Sequence, residues 1–171
     1  MCQAKAGDPE ICVWIERVTA DSVGRILPLL AAYQRFYRTE PDEARTFEHF
    51  TRVLADPNLA VQFVALEEAL GPIGFATLYF PLSSVTAGSY CLLNDLYVAP
   101  TSRGQGKGRA LIERCRLYAY EAGYASLEWQ TEQSNAEAQR LYDRMGAEQR
   151  GWYSYILSTA PRAAVDTEEI R

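Results

Sequence analysis

The sequence predicts an α/β domain, a mixed β-sheet with helices on its faces. Segments of strand character alternate along the chain with segments whose apolar residues recur at helical spacing, and helices inserted between strand groups imply that layering. The later part of the chain reads β-α-β around a glycine-rich turn. With 171 residues, 48% of them hydrophobic, the chain is long enough for one globular domain with a substantial core. No internal repeat, low-complexity run or linker divides it, so one domain is expected over 1–171, with a core over 11–157 between polar tails.

Each element has its own signal. Ile11 to Val18 reads as a first strand. Thr19-Ala20-Asp21-Ser22 opens a helix carrying Val23, Ile26, Leu27, Leu30 and Tyr33 at helical spacing, weakened in its middle by Pro28. Pro41-Asp42-Glu43 opens a second helix with Phe47, Phe50, Val53 and Leu54 on one side, ended by Asp56-Pro57-Asn58. Val61 to Glu67 and Ile73 to Phe80 form a hairpin around Ala69-Leu70-Gly71-Pro72, and Ser89 to Val98 is the third strand of that group. The helix after the glycine turn sets Leu111, Cys115, Tyr118, Ala119 and Ala122 on one face, with Glu113, Arg114 and Arg116 opposite and Gly123 as a stop. Ala125 to Thr131 returns as a strand, and Ser134 with Glu137 forms a capping box for a helix ending at Gly146. Ala147 to Leu157, with Trp152, Tyr153 and Tyr155, reads as a long strand or a broken pair before a polar tail from Ser158.

The most informative stretch runs from Leu92 to Leu111, where an apolar strand enters a glycine-rich turn and then a helix. The first turn of a helix leaves N–H groups without intrahelical partners, and with the positive end of the macrodipole they form a site for an anion such as a pyrophosphate. Gly104, Gly106 and Gly108 let backbone and phosphate approach closely, and Arg103, Lys107 and Arg109 add positive charge. Two familiar phosphate motifs fail on residues. A P-loop needs Ser or Thr after its Gly-Lys, but Lys107 is followed by Gly108. The dinucleotide fingerprint would need Gly at 109 or at 111, which are Arg and Leu.

What fits is Arg/Gln-x-x-Gly-x-Gly/Ala, met by Arg103, Gly106 and Gly108 after a strand ending Val98-Ala99-Pro100. This resembles the acyl-CoA signature of the GNAT superfamily of N-acetyltransferases. Downstream, the run from Asn135 to Ala147 is similar to the family's Asn-x-x-Ala-x-x-Leu-Tyr-x-x-x-Gly-Phe/Ala helix. The resemblance covers 11–157 as an order of elements and 92–147 at residue level, and the layout is also similar to that of diamine and polyamine acetyltransferases. It implies the GNAT fold, in which neighbouring central strands splay apart around the cofactor's pantetheine arm. Those strands would be the ones ending near Val98 and Thr131.

The implied site follows position by position. Gln105, Gly106, Lys107, Gly108 and Arg109 would give backbone N–H groups to the pyrophosphate of acetyl-CoA, with Arg103 and Gly104 shaping the entry. Leu96, Tyr97 and Val98 would meet the pantetheine amides through their backbones, as a strand edge receives a partner. Asn135 would hydrogen-bond the cofactor arm. Tyr142, seven residues on and so on about the same side of the helix, would protonate the departing thiolate, and a phenol of ordinary pKa about 10 holds its proton at neutral pH. Oxyanion charge would be met by a backbone N–H near Val98. The diamine and polyamine enzymes carry Glu where this chain has Asn94, and an amide is no base. Asp95, a water chain or no dedicated group is left for that task. Strict alternation puts Asn94 and Asp95 on opposite sheet faces, which would leave Asp95 against a helix layer as a hydrogen-bonded structural group.

Acceptor selection is expected from Tyr33, Gln34, Phe36, Tyr37 and Asn94, with Pro81-Leu82-Ser83-Ser84 as a facing wall; aromatic faces can hold ammonium groups by about 0.5 to 2 kcal/mol. Trp129 and Trp152 are further aromatic candidates, with core packing the plainer account of them. The net charge of −5 argues against a nucleic-acid partner and permits a cationic substrate. Cys2, Cys12, Cys91 and Cys115 lack Cys-x-x-Cys spacing and His49 is the only histidine, so no metal site or redox pair is expected. The N-terminus has no apolar h-region and no run approaches the roughly 20 apolar residues of a membrane span, which points to a cytoplasmic protein off the membrane. The expected function is N-acetylation of a small primary amine by direct transfer from acetyl-CoA in a ternary complex. The alternatives are a protein or peptide N-acetyltransferase and a non-catalytic acyl-CoA-binding module, and the aromatic C-terminal strand could pair across a homodimer.

Overall fold

A computed structural model describes residues 13–85, 87–151 and 153–159. Its main sheet has five strands in the order β1 (Val13–Val18), β2 (Ala60–Glu67), β3 (Gly71–Tyr79), β6 (Cys91–Val98) and β7 (Leu127–Glu128). Neighbours are antiparallel except β6 and β7, which run parallel, so the sheet is mixed. The hairpin β4 (Leu82–Ser83) and β5 (Gly88–Ser89) stands apart.

Period-2 patterning sorts the side chains into two layers. β2 is buried along its whole length. Its Ala60, Val64 and Leu66 join Leu29, Leu30, Phe50 and Leu54 of α1 (Leu27–Phe36) and α2 (Glu43–Leu54) on one face. Val61, Phe63 and Ala65 join Leu111, Ile112, Cys115 and Ala119 of α3 (Lys107–Glu121) on the other. Leu141, Tyr142 and Met145, on or just after α4 (Ala136–Arg144), pack half-buried against that second layer.

Four expectations change. Pro28 does not weaken a helix middle: the chain enters through a 3-10 turn at Val23–Ile26, and Pro28 lies in the first turn of α1, where no N–H is needed. Asn135, not Ser134, caps α4, accepting the Ala138 N–H at 3.3 Å, while the Ser134 hydroxyl donates to Glu132 Oε2 at 3.2 Å. β7 is two residues long, because its ladder with β6 reaches only Cys91↔Leu127 and Leu92↔Glu128 before the strands part. No strand forms among the described residues of 147–157; Tyr153, Tyr155, Ile156 and Leu157 are exposed, since strand propensity without a ladder partner holds nothing in place. The strand expected to pair across a homodimer is therefore missing there, β7 is the last strand of the described sheet, and Trp152 lies outside the described residues.

Candidate active site

The parting of β6 from β7 opens a cleft, walled by Leu93 to Val98 on one side without Asp95 and by Trp129, Gln130 and Thr131 on the other. The glycine turn and the start of α3 close one end, and the last turn of α1 with Tyr33, Phe36 and Tyr37 closes the other. One flank of α4 lines it with Asn135, Ala138, Leu141, Tyr142 and Arg144.

At the turn, Gly104 and Gly106 have φ of 73° and 78°, a left-handed backbone that residues with a Cβ adopt at a cost of about 1–2 kcal/mol. Gly106 caps α3, and the Ala110 N–H to Gly106 carbonyl bond of 3.0 Å is the first inside it. The N–H groups of Lys107, Gly108 and Arg109 come before that bond and belong to the helix's positive end. Gln105 is exposed on the turn, outside the cleft wall. The charges are more divided than expected. Arg103 donates Nε to the Val98 carbonyl at 2.9 Å and lies 5.7 Å from the ring centres of both Phe36 and Tyr97. Lys107 faces the buried Glu67 at 4.0 Å. Arg109 and Arg144 are further exposed cations on the cleft wall.

β6 carries a bulge. Thr77 faces Asp95 and Leu78 faces Leu93 in the β3 register, so Asn94 is the extra residue. Cys91 and Leu93 point to the α3 layer, whereas Asp95 and Tyr97 contact Tyr33 of α1. Strict alternation would put all four on one face. Asn94 donates Nδ2 to Asp95 Oδ1 at 2.9 Å, and since a carboxylate can only accept, its own Oδ1 is left as an acceptor at the cleft wall. Asp95 is buried and accepts from Tyr33 Oη at 3.1 Å. Burial pushes its carboxyl above the usual range, against hydrogen bonds from Thr77, Tyr33 and Asn94 and the charge of His49, which hold it down.

Of the three β6 residues expected to meet the pantetheine arm, Tyr97 turns its carbonyl toward Gly74 of β3, where a Cβ would lie 2.7 Å from it. The Val98 carbonyl already accepts from Arg103, and Leu96 stands on the cleft wall. Asn135 uses both ends of its amide inside the protein, capping α4 and donating to Thr131 Oγ1 at 3.3 Å. Tyr142 is half-buried against Trp129, ring centres 5.2 Å apart. Burial raises its pKa, the nearby Tyr37 adds to the rise, and a hydrogen bond from Thr131 opposes it. The phenol therefore keeps its proton at neutral pH.

Two acceptor expectations are corrected. Gln34 ties α1 to α2, donating Nε2 to Thr46 Oγ1 at 3.0 Å, and is not on the cleft wall. Leu82–Ser83 belongs to the separate hairpin, Leu82 faces solvent, and no residue of 81–84 lines the cleft. Thr131 and Arg144 are site residues the sequence reading missed. For Arg144 the spacing from Leu141 was a usable signal, since residues three apart share a helix flank. Among the described residues no group of His, Cys, Asp and Glu could hold a metal ion, and no helix is long and apolar enough to cross a membrane. Cys91 and Cys115 are buried thiols pushed up to about 12 by burial, too high for a nucleophile at neutral pH.

The pattern of the Acetyltransferase (GNAT) family matches residues 26–147. The chain is similar to the "Uncharacterized N-acetyltransferase YhfO" of Bacillus subtilis (strain 168), 34% identical over 145 residues that cover 84% of this chain and 96% of that one. It is 27% identical over 153 residues to the "Thialysine N-epsilon-acetyltransferase" of Caenorhabditis elegans, covering 85% and 92%. Its fold superposes on the aminoglycoside N-acetyltransferase AAC(6')-Iy, solved in complex with CoA, with a TM-score of 0.76 at 15% identity over 88% of this chain and 97% of that one. With that pattern spanning most of the chain and a relative 34% identical over 84% of it, the protein belongs to the GNAT family of acetyltransferases, whose co-substrate is acetyl-CoA.

Proposed function

We propose that the chain moves the acetyl group of acetyl-CoA directly to the primary amine of a small molecule, both substrates being bound at once. The observation that carries this reading is the position of Tyr142, in one cleft between the α3 turn and the aromatic end of α1. The turn suits a pyrophosphate through the N–H groups of Lys107 to Arg109, aided by Arg109 and Arg144. The β6 edge beyond Leu92, which β7 leaves unpaired, suits an extended amide-bearing arm.

The acceptor amine would stand between Asn94 and the rings of Tyr33, Phe36 and Tyr37. Asn94 Oδ1 accepts an N–H and orients the lone pair toward the thioester carbon. A backbone N–H near Val98 meets the negative charge that develops on the carbonyl oxygen. As the C–S bond breaks, Tyr142 gives its proton to sulfur and takes one back from the acylated nitrogen. Its raised pKa leaves the gift uphill even to a full thiolate, since thiols have a pKa of about 8.5, so the transfer is coupled to recovery of the acidic proton from the acylated nitrogen. The amine-acetylating relatives support a small amine as acceptor.

The test is thiol release from acetyl-CoA by the purified chain across a panel of primary amines, including thialysine and an aminoglycoside, with the acetylated product identified by mass. Amine-dependent release with a matching acetamide is expected. Acetyl-CoA binding with no release above background for any amine would leave a binding module instead.

A further inference from the structure

The α1/α2 face of the sheet carries a row of polar side chains that the reading above does not use. Cross-strand register sets Gln62, Thr77 and Asp95 side by side on β2, β3 and β6, and all three are buried. Gln62 Nε2 donates to Thr77 Oγ1 at 2.9 Å, which frees the threonine proton for Asp95. Tyr33 and Asn94 both donate to Oδ1 of the same carboxylate. Every hydrogen bond in the row runs toward Asp95, an arrangement suited to an anion.

Holding α1 to the sheet does not need that anion, since a neutral acceptor would receive the Tyr33 hydroxyl without the cost of a buried charge. No Lys or Arg forms an ion pair with Asp95 among the described residues. The titratable groups facing it are Tyr33 and the adjoining Tyr37 from α1, Tyr79 from β3 and His49 from α2, and His49 is the one that can be cationic. Asp95 itself does not reach the cleft wall, whereas Tyr33 lies on that wall and on the carboxylate at once.

We propose that Asp95 accepts a proton from the incoming ammonium through the Tyr33 hydroxyl, so that the base of this enzyme sits one residue past Asn94 and behind the cleft. This rests on the amine-acetylation reading. The ammonium N–H passes its proton to Tyr33 Oη as the Tyr33 proton moves to Asp95 Oδ1, leaving a neutral amine, a neutral tyrosine and a protonated carboxyl. The amine lone pair forms the N–C bond, the C–S pair leaves with sulfur, and Tyr142 protonates the thiolate and recovers a proton from nitrogen. The proton stored on Asp95 returns through Tyr33 to solvent once the neutral amide departs. The bulge makes this possible, because only the extra residue at Asn94 turns Asp95 to the α1 face.

The experiment compares wild type, Tyr33→Phe and Asp95→Asn on 2-phenylethylamine, a cation at pH 7, and on its 2,2-difluoro derivative, whose fluorines leave much of it neutral there. The loss in kcat is expected to be greater on the cation than on the neutral form, by about 10²-fold for Asp95→Asn and about tenfold or more for Tyr33→Phe. The acid limb of the wild-type pH profile on the cation should be missing from Asp95→Asn, whose rate should instead climb with pH as free amine accumulates. Acetyl-CoA affinity should stay unchanged. Should Asp95→Asn fail to fold, Tyr33→Phe keeps the ring that packs edge-on against Phe75 and Tyr97 and decides the matter alone. Equal losses on both amines, or an unmoved acid limb, overturn the relay. A wild type that acetylates neither amine counts against the amine reading itself and removes the relay with it.

Discussion

The two ends of the cleft are built from different material. The donor end is backbone: a left-handed turn at Gly104 and Gly106, the first N–H groups of α3 and the unpaired edge of β6. The acceptor end is side chains from separate elements, with Tyr33, Phe36 and Tyr37 from α1 and Asn94 from β6, supported from behind by Asp95. Backbone geometry suits a ligand shared by a whole family, because it tolerates change in every side chain but glycine. A side-chain pocket can be altered one residue at a time, and that is where substrate choice can diverge.

Substitutions at each end should therefore separate kinetically. The largest effect is expected where the ends meet: Tyr142→Phe should lower kcat by about 10²-fold while acetyl-CoA affinity, measured by calorimetry, stays unchanged. Turnover kept within a few-fold would take the proton from another donor. Next, Gly106→Val should raise the KM for acetyl-CoA by about tenfold, since a β-branched residue at φ 78° costs on the order of 1–2 kcal/mol, and leave the acceptor KM alone. A matching rise in both would break the separation. Arg103→Gln probes a side chain that reaches from the Val98 carbonyl to the Phe36 ring, and should raise both KM values by about threefold.

The smallest effects concern stability. Gln34→Ala should cost about 1 kcal/mol in denaturant unfolding through the lost bond to Thr46, with kinetics unchanged, because Gln34 stands outside the cleft. Asp95 has a sign of its own. Its folded pKa is raised above the ordinary value of 3.8, so its contribution to stability is fully present below that value and is lost as pH rises through the folded one. Melting curves of Asp95→Asn should accordingly gain on wild type from pH 4 upward, and a constant difference across pH would contradict the raised value.

The donor end was legible because its rules are local. Glycines at 104 and 106 announce left-handed backbone, and the seven-residue spacing from Asn135 to Tyr142 puts both on the cleft. The acceptor end was only half legible. Tyr33, Phe36, Tyr37 and Asn94 line the cleft, but Gln34, in the same cluster, turns to Thr46 because α2 packs on that side of α1. The bulge is invisible in the sequence: Leu93, Asp95 and Tyr97 read as one alternating face, and only pairing with β3 shows that the face changes at Asn94. Strand length was equally a matter of partners. Ala125 to Thr131 has the composition of a full strand, yet two residues pair because the cleft begins where the ladder stops. The shift of the α4 cap from Ser134 to Asn135 is a one-residue competition between two good capping side chains.

The most direct test of the donor end as a backbone device is the thermal stability of wild type and Gly106→Val alone and with saturating acetyl-CoA, CoA or NADH. At 100 times its Kd a ligand stabilises the native state by about 2.7 kcal/mol. The account predicts a clear rise for wild type with both CoA species, none with NADH, and a smaller rise for Gly106→Val at the same concentrations. No shift of wild type with either CoA species would contradict it.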